Sequence, residues 1–241
     1  MMFWNGWWEQ MQIDGIQKLT LLDYPGYTAC TIFLGGCNFR CPFCHNASLV
    51  YWNGQRAAMR EDEFFAFLEK RRGILDGVCI SGGEPMMHPH TESLIRRIKE
   101  NGYLVKLDTN GSFPEKLGKF LNERLLDYVA MDIKNSKEKY RKTAGAADLD
   151  LGRIEESRGI IMDSKISYEF RTTLVKELHQ MEDVEEMARW IAGADAWYLQ
   201  EFVDSGDVLM EGLHAHSKEW MEKAAALAAP YVECVEIRGV E

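Results

Sequence analysis

Cys37, Cys41 and Cys44 fall in one short window, GGCNFRCPFCHN, with no fourth cysteine near them. A closed structural zinc site takes four ligands, and a ferredoxin-type cluster is held by four thiolates. Three closely spaced thiolates on a glycine-flanked loop can hold three irons of a [4Fe–4S] cube and leave the fourth open. An open iron is a coordination site for a small molecule, which makes such a cube a catalyst and not only an electron carrier. A zinc knuckle would need a second half. His88, His90, His214 and His216 are remote in sequence, and His45 adjoins Cys44 too closely to turn onto the same ion.

Further along, Ser81 to Pro85 reads SGGEP. Two glycines at a strand end let the backbone approach a ligand and expose its carbonyls, and Glu84 adds a carboxylate. Such a turn suits a cation, for instance an α-ammonium group, better than a phosphate, whose cradle carries lysine and no acid. DTNG (Asp108–Gly111) and MDIK (Met131–Lys134) are strand-to-loop signals in which Asp and Asn support turns. Arg171-Thr172-Thr173 closes another strand-like run.

The elements that must carry these residues alternate along the chain. From Gln12 to Gly35 the sequence reads as strands with a turn at Pro25-Gly26. After the cysteine loop come MREDEFFAFLEKRR as a helix, GVCISGG as a strand, and TESLIRRIKENG as a helix with Thr91 as N-cap. YLVKLDTNG, DYVAMDIK, KISYEFRTTLV and AWYLQEF follow as strands. The helices PEKLGKFLNERL, LGRIEESRGIIMDS and MEDVEEMARWIAG separate them, HAHSKEWMEKAAALAA is the last helix, and YVECVEIRG reads as a possible last strand. This alternation predicts an α/β fold of βαβ units on a parallel sheet. Six units from YTACTIFLGG onward predict a partial (β/α)6 TIM-like barrel with a short N-terminal β extension, and a doubly wound sheet is the alternative. Either architecture collects the cysteines, SGGEP, DTNG, MDIK, RTT and QEF on one rim, at the C-terminal ends of the strands.

With 241 residues, 46% of them hydrophobic and 27% charged, there is material for one sizeable core. Residues 1–11, rich in tryptophan, read as an N-terminal appendage, and 12–241 as a single domain. The net charge of −10 argues against nucleic-acid or anionic-membrane partners, and no apolar run reaches the length of a transmembrane helix. Cys30, Cys79 and Cys234 sit in apolar or β-prone stretches and read as small buried hydrophobes of a cytoplasmic, reducing compartment. Met162, Met181, Met187, Met210 and Met221 hold core-like positions.

The cysteine window, with Phe43 directly before its last cysteine, resembles that of the radical S-adenosylmethionine (radical SAM) enzymes. The resemblance implies that Cys37, Cys41 and Cys44 ligate a [4Fe–4S] cluster whose open iron binds the amino and carboxylate groups of S-adenosylmethionine, with Phe43 near the adenine. SGGEP is similar to the family's methionine-binding turn, carried here by Gly82, Gly83 and Glu84. DTNG and MDIK together resemble the activating enzymes of glycyl radical proteins. That implies that Asp132 and Lys134 face the active site, Lys134 pairing with the cofactor carboxylate, and that Asp108, Asn110 and Arg171 belong to the cofactor site. In pyruvate formate-lyase activators a monovalent cation also lies there, and the motif match names Asp108, Thr109, Asp132 and the backbone of Ala130 as its ligands. Those activators tend to carry histidine where Thr172 falls. IQKLTLLDYPG…CTIFLGGCNFRCPFCHN most resembles the activating proteins of anaerobic ribonucleoside-triphosphate reductases, and the likeness runs from Gln12 to about Phe202. No eight-cysteine ferredoxin insert follows the motif.

The implied function is a reductive radical generator. An electron from flavodoxin or ferredoxin enters the cluster, S-adenosylmethionine is cleaved to methionine and a 5′-deoxyadenosyl radical, and that radical takes a hydrogen from a glycine of the partner reductase. Activation of another glycyl radical enzyme, such as pyruvate formate-lyase, or chemistry on a small molecule stays open beside it. So does a non-catalytic iron–sulfur or zinc protein.

Overall fold

The computed structural model describes residues 12–51 and 58–239, so the appendage expected over 1–11 lies outside the described residues. Seven parallel strands form one sheet: β3 (Ala29–Leu34), β5 (Gly77–Gly82), β6 (Leu104–Thr109), β7 (Tyr128–Asp132), β8 (Ser167–Leu174), β9 (Ala196–Glu201) and β10 (Cys234–Arg238). They lie in that spatial order, and β2 (Gly15–Thr20) adds an antiparallel edge on β3. A short ribbon pairs β1 (Gln12–Ile13) with β4 (Met59–Arg60). The helices are α1 (Ala47–Val50), α2 (Glu61–Glu69), α3 (Thr91–Glu100), α4 (Pro114–Asn122), α5 (Tyr140–Ala144), α6 (Leu151–Met162), α7 (Met181–Trp190) and α8 (Lys218–Ala228). This is the expected partial α/β barrel, with β10 as a further parallel strand. Its two edges, β2 and β10, are not paired to each other among the described residues.

Strict alternation along the strands sorts side chains onto two faces. Val78 and Ile80, Val105 and Leu107, Val129 and Met131, Phe170 and Leu174, and Trp197 and Leu199 all join the main apolar core, which the helices cover. Helix α3 contributes Leu94, Ile95 and Ile98, and α7 contributes Val184, Met187 and Ala188. The intervening positions turn to the concave face, and many are polar: Cys79 and Ser81, Lys106 and Asp108, Asp132, Glu169 and Arg171, Gln200. Tyr24, Ala29 and Tyr128 form a separate small cluster near the strands' N-terminal ends, with the Tyr24 and Tyr128 rings edge to face at 5.8 Å. The concave face is thus apolar at one end and charged toward the other.

Three local expectations change. Thr91 is the first helical residue of α3 and not its cap, because its hydroxyl donates to the Pro85 carbonyl at 2.5 Å. The histidines of HAHSKEW precede α8, which starts at Lys218 behind Ser217, whose hydroxyl accepts from the Trp220 N–H. Met210, expected in the core, is half exposed.

Candidate active site

At the C-terminal ends of β3 and β5 to β9 opens a cleft of about 210 Å³. Cys37, Cys41 and Cys44 line it together with Phe43, Gly82, Gly83, Asp108, Asn110, Asp132, Lys134 and Arg171. Residues widely separated in sequence thus share one surface because each follows a parallel strand, as the alternation predicts. Ser81, Thr173 and Gln200, each within a motif expected on this rim but not singled out there, line it as well, as does His45. For Thr173 a signal was present: it lies one strand period from Arg171.

The cysteine loop is held by backbone. The Gly36 N–H donates to the Leu49 carbonyl at 2.7 Å, the Arg40 N–H to the Ala144 carbonyl at 2.9 Å, and the Cys44 N–H to the Cys41 carbonyl at 3.0 Å. The Arg40 guanidinium folds back onto the carbonyls of Cys37 and Phe39. None of the three thiols is in a disulfide. Burial pushes the Cys37 thiol up to about 11 and the Cys41 thiol up to about 12, with nearby Lys134 opposing the rise in both. Without a metal Cys37 and Cys41 are protonated, and a metal would have to displace the protons. Among the described residues no three His, Cys, Asp or Glu side chains converge to hold a metal ion. A cluster would not need the three thiolates to meet at one point. The donor set fits such a group: three unpaired thiols in one cleft beside the positive charge of Lys134.

The SGGEP turn works differently from its expectation. A Cβ at Gly82 would lie 2.2 Å from the Leu34 carbonyl oxygen, and one at Gly83 would lie 2.0 Å from that of Gly36. Gly82 also has a φ of +121°. The glycines are therefore required by close approach of the chain to itself, where the Gly83 and Glu84 N–H groups donate to the Leu34 and Gly36 carbonyls, each at 2.9 Å. Glu84 is fully buried and does not line the cleft. Its carboxylate accepts from the N–H of Asn110 at 2.7 Å, the N–H of Met86 at 3.1 Å and the Thr109 hydroxyl at 3.0 Å. Burial outweighs these donors and pushes Glu84 up to about 7. Glu84 thus ties two loops together beneath the cleft.

On the other side stands a lattice of charges. Strand register puts Asp132 beside Arg171, whose guanidinium reaches Asp132 at 2.9 Å and Asp108 at 3.1 Å. Lys134 pairs with Asp132 at 2.9 Å, and the fully buried Lys106 pairs with Asp108 at 2.5 Å. Burial alone would raise both carboxyls, but Arg171 with Lys106 holds Asp108 well below the usual range, and Arg171 with Lys134 lowers Asp132. Burial opposes the charge on Lys134, yet Asp132 raises it well above an ordinary lysine. Its ammonium lies 5.9 Å from the Phe43 ring centroid. The carboxylates named as cation ligands are thus bridged by Arg171, and the Thr109 hydroxyl is turned to Glu84. Lys106 and Glu169, both buried, were missed, although each stands one strand period from a chosen residue, Asp108 or Arg171.

Thr172 faces away from the cleft. Its hydroxyl donates to the Ile133 carbonyl at 2.8 Å and accepts from the Trp197 indole N–H at 3.0 Å. Its difference from histidine therefore does not alter the cleft, where Thr173 stands instead.

Comparison with known proteins agrees with this geometry. The family model described as the Radical SAM superfamily matches residues 31–191. A provisionally named glycyl-radical enzyme activating enzyme of Methanocaldococcus jannaschii is 31% identical over 235 residues, 95% of this chain and 96% of that protein. A pyruvate formate-lyase-activating enzyme of Staphylococcus aureus is 28% identical over 133 residues, 51% of this chain and 53% of that enzyme. A domain of the pyruvate-formate lyase-activating enzyme from Bacteroides vulgatus superposes with a TM-score of 0.55 at 18% identity, covering 68% of this chain and 99% of that one. SuiB of Streptococcus suis, bound to its precursor peptide SuiA, gives 0.63 at 14% identity over 86% of this chain and 48% of SuiB. At such identities the structural likeness speaks for the fold alone.

Proposed function

The chain belongs to the radical SAM superfamily, and on that premise we propose that it activates a glycyl radical enzyme, with an anaerobic ribonucleoside-triphosphate reductase as its target. The observation that carries this reading is the meeting of Cys37, Cys41 and Cys44 with Lys134 and Arg171 in one cleft. A [4Fe–4S] cluster and S-adenosylmethionine, when bound, supply reductive cleavage to methionine and a 5′-deoxyadenosyl radical, which takes a hydrogen atom from a partner glycine Cα. Cys37, Cys41 and Cys44 would hold three of the irons. Lys134, kept charged by Asp132, offers its ammonium to a carboxylate, and Arg171, bridging Asp108 and Asp132, stands beside it in the cleft. Phe43, buried and facing the cleft, offers an apolar surface to an adenine ring. Fixed dipoles and charges in a half-closed cleft orient a reactive species without reorganising.

The choice of reductase is supported by the stretch from Gln12 to Asn46 and its resemblance to that subgroup. Residues 12–241 act as one domain in this reading, in the cytoplasm, with a flavodoxin or ferredoxin as electron donor. The test is electron paramagnetic resonance after anaerobic incubation of the reduced enzyme and S-adenosylmethionine with an anaerobic reductase or with pyruvate formate-lyase. A glycyl radical on the reductase is expected. A radical on pyruvate formate-lyase alone would move the target, and cofactor cleavage with neither radical would turn the reading to a small-molecule substrate. Purified protein holding zinc and no iron or sulfide would end it.

A further inference from the structure

The sulfur of Cys37 is surrounded differently from that of Cys41. The Phe39 N–H donates to Cys37 Sγ at 3.4 Å, and the Asn110 amide nitrogen lies 3.9 Å from the same sulfur. Cys41 Sγ faces the Ala144 carbonyl oxygen at 3.7 Å instead. The Asn110 amide is not free to turn. Its Oδ1 accepts from the Ser112 N–H at 3.0 Å and from the Ser112 hydroxyl at 2.6 Å. Its Nδ2 donates to Asn38 Oδ1 at 2.9 Å, and Asn38 Nδ2 donates in turn to the Ser112 hydroxyl at 2.9 Å. The ring Asn110–Asn38–Ser112 closes on itself. Because the Ser112 N–H can only donate, the oxygen of Asn110 must face it, and the second amide hydrogen is left for Cys37. Below the ring, Glu84 holds the Asn110 backbone N–H at 2.7 Å and the Thr109 hydroxyl at 3.0 Å.

We propose that Asn110, locked by Asn38 and Ser112, is a positioning residue that directs an N–H at the Cys37 thiolate and thereby raises the reduction potential of the cluster. The proposal rests on the reading of the cysteines as cluster ligands. An added electron increases negative charge on the sulfurs, so an N–H aimed at one of them favours the reduced form, and hydrogen bonds to the sulfurs are among the determinants of such potentials. The loop after β6 that carries Asn110 would then serve the electron-accepting step and not only cofactor binding.

The experiment is an anaerobic redox titration of reconstituted protein without S-adenosylmethionine, followed by the electron paramagnetic resonance signal of the reduced cluster. Iron and sulfide are counted in every sample. Asn110→Leu keeps the shape and removes the donor, so its midpoint should move to a more negative potential. Asn38→Ala leaves Asn110 present but unlocked and should give a smaller shift of the same sign. Full cluster content with an unmoved midpoint in both variants would overturn the proposal. If Asn110→Leu fails to load a cluster, Asn38→Ala carries the decision alone. Wild-type protein without iron and sulfide would instead strike the cluster reading itself, so the two failures are distinguishable.

Discussion

The two walls of the cleft are built from different interactions. On the side of β3, β5 and the β6 loop, shape comes from backbone: glycines pressed against carbonyls, loop N–H groups, and Glu84 tying turn to turn. On the side of β6, β7 and β8, shape comes from charge: Lys106, Asp108, Arg171, Asp132 and Lys134 in one connected lattice. The first wall fixes where the thiols lie. The second keeps full charges in a buried place by pairing each with another, and leaves Lys134 and Arg171 turned to the cleft. Backbone contacts tolerate no extra atom, whereas a charge lattice tolerates atoms but not the loss of one partner.

The largest expected effect tests the first wall through its product. Cys41→Ala should reduce bound iron and sulfide to background in anaerobically reconstituted protein. Loss of an outer-shell partner alone costs about 10–100-fold in metal affinity, and a ligand counts for more. Retention of a full cluster and of cofactor cleavage would break the assignment of the thiols. Next comes the second wall. Arg171→Leu leaves Asp108 with Lys106 and Asp132 with Lys134 but removes the charge that bridges them, and should cost about 1.5–3 kcal/mol in denaturant unfolding. Cluster uptake should survive it, because Arg171 supports charge and not the loop. Equal loss of uptake and stability would erase the contrast between the walls.

Gly83→Ala probes the close approach directly. A methyl group would lie 2.0 Å from the Gly36 oxygen and 3.2 Å from Cys37 Cβ. It should cost roughly 1–3 kcal/mol and lower iron content as well, since the displaced backbone carries Cys37. Gly159 in α6 is the control, with nothing within 4 Å of its added Cβ. Gly159→Ala should stabilise by roughly 0.5–1 kcal/mol with iron content unchanged. Differential unfolding with iron counted on the same samples reads both.

The same contrast explains what could be read from the sequence. Strand order and the shared rim were legible because helices and parallel strands alternate, and because parallel strands deliver their following loops to one end. The pairing of Asp132 with Lys134 and Arg171 was accessible in outline, since they stand at strand ends with opposite charge. The bonding of Glu84 was not legible because its motif carries no mark of which way the side chain turns; two of its three donors come from the Thr109–Asn110 loop and one from Met86. The roles of Gly82 and Gly83 were legible as close approach, but the approaching group was their own chain. Thr172 was read as part of the rim because register within RTT decides its face, and one residue of shift exchanges it with Thr173.

Glu84 gives the last and smallest expected effect, and the one most specific to the backbone wall. Burial raises its pKa from 4.5 to about 7 in the folded protein. Below the unfolded value both states are protonated and the group costs nothing. As pH rises from about 4.5 toward about 7 the unfolded chain ionises first, so stability falls across that window and levels off above it. Buried histidines with lowered values, His179 and His216, titrate with the opposite sign nearby. The informative quantity is therefore the difference between the wild type and Glu84→Gln, in which the other groups cancel. Wild-type stability relative to the variant should drop by about 1 kcal/mol between about pH 5.5 and 6.5, measured by denaturant titration of metal-free protein. A flat difference would mean that the three donors keep Glu84 ionised, and the backbone wall would then hold a buried charge of its own.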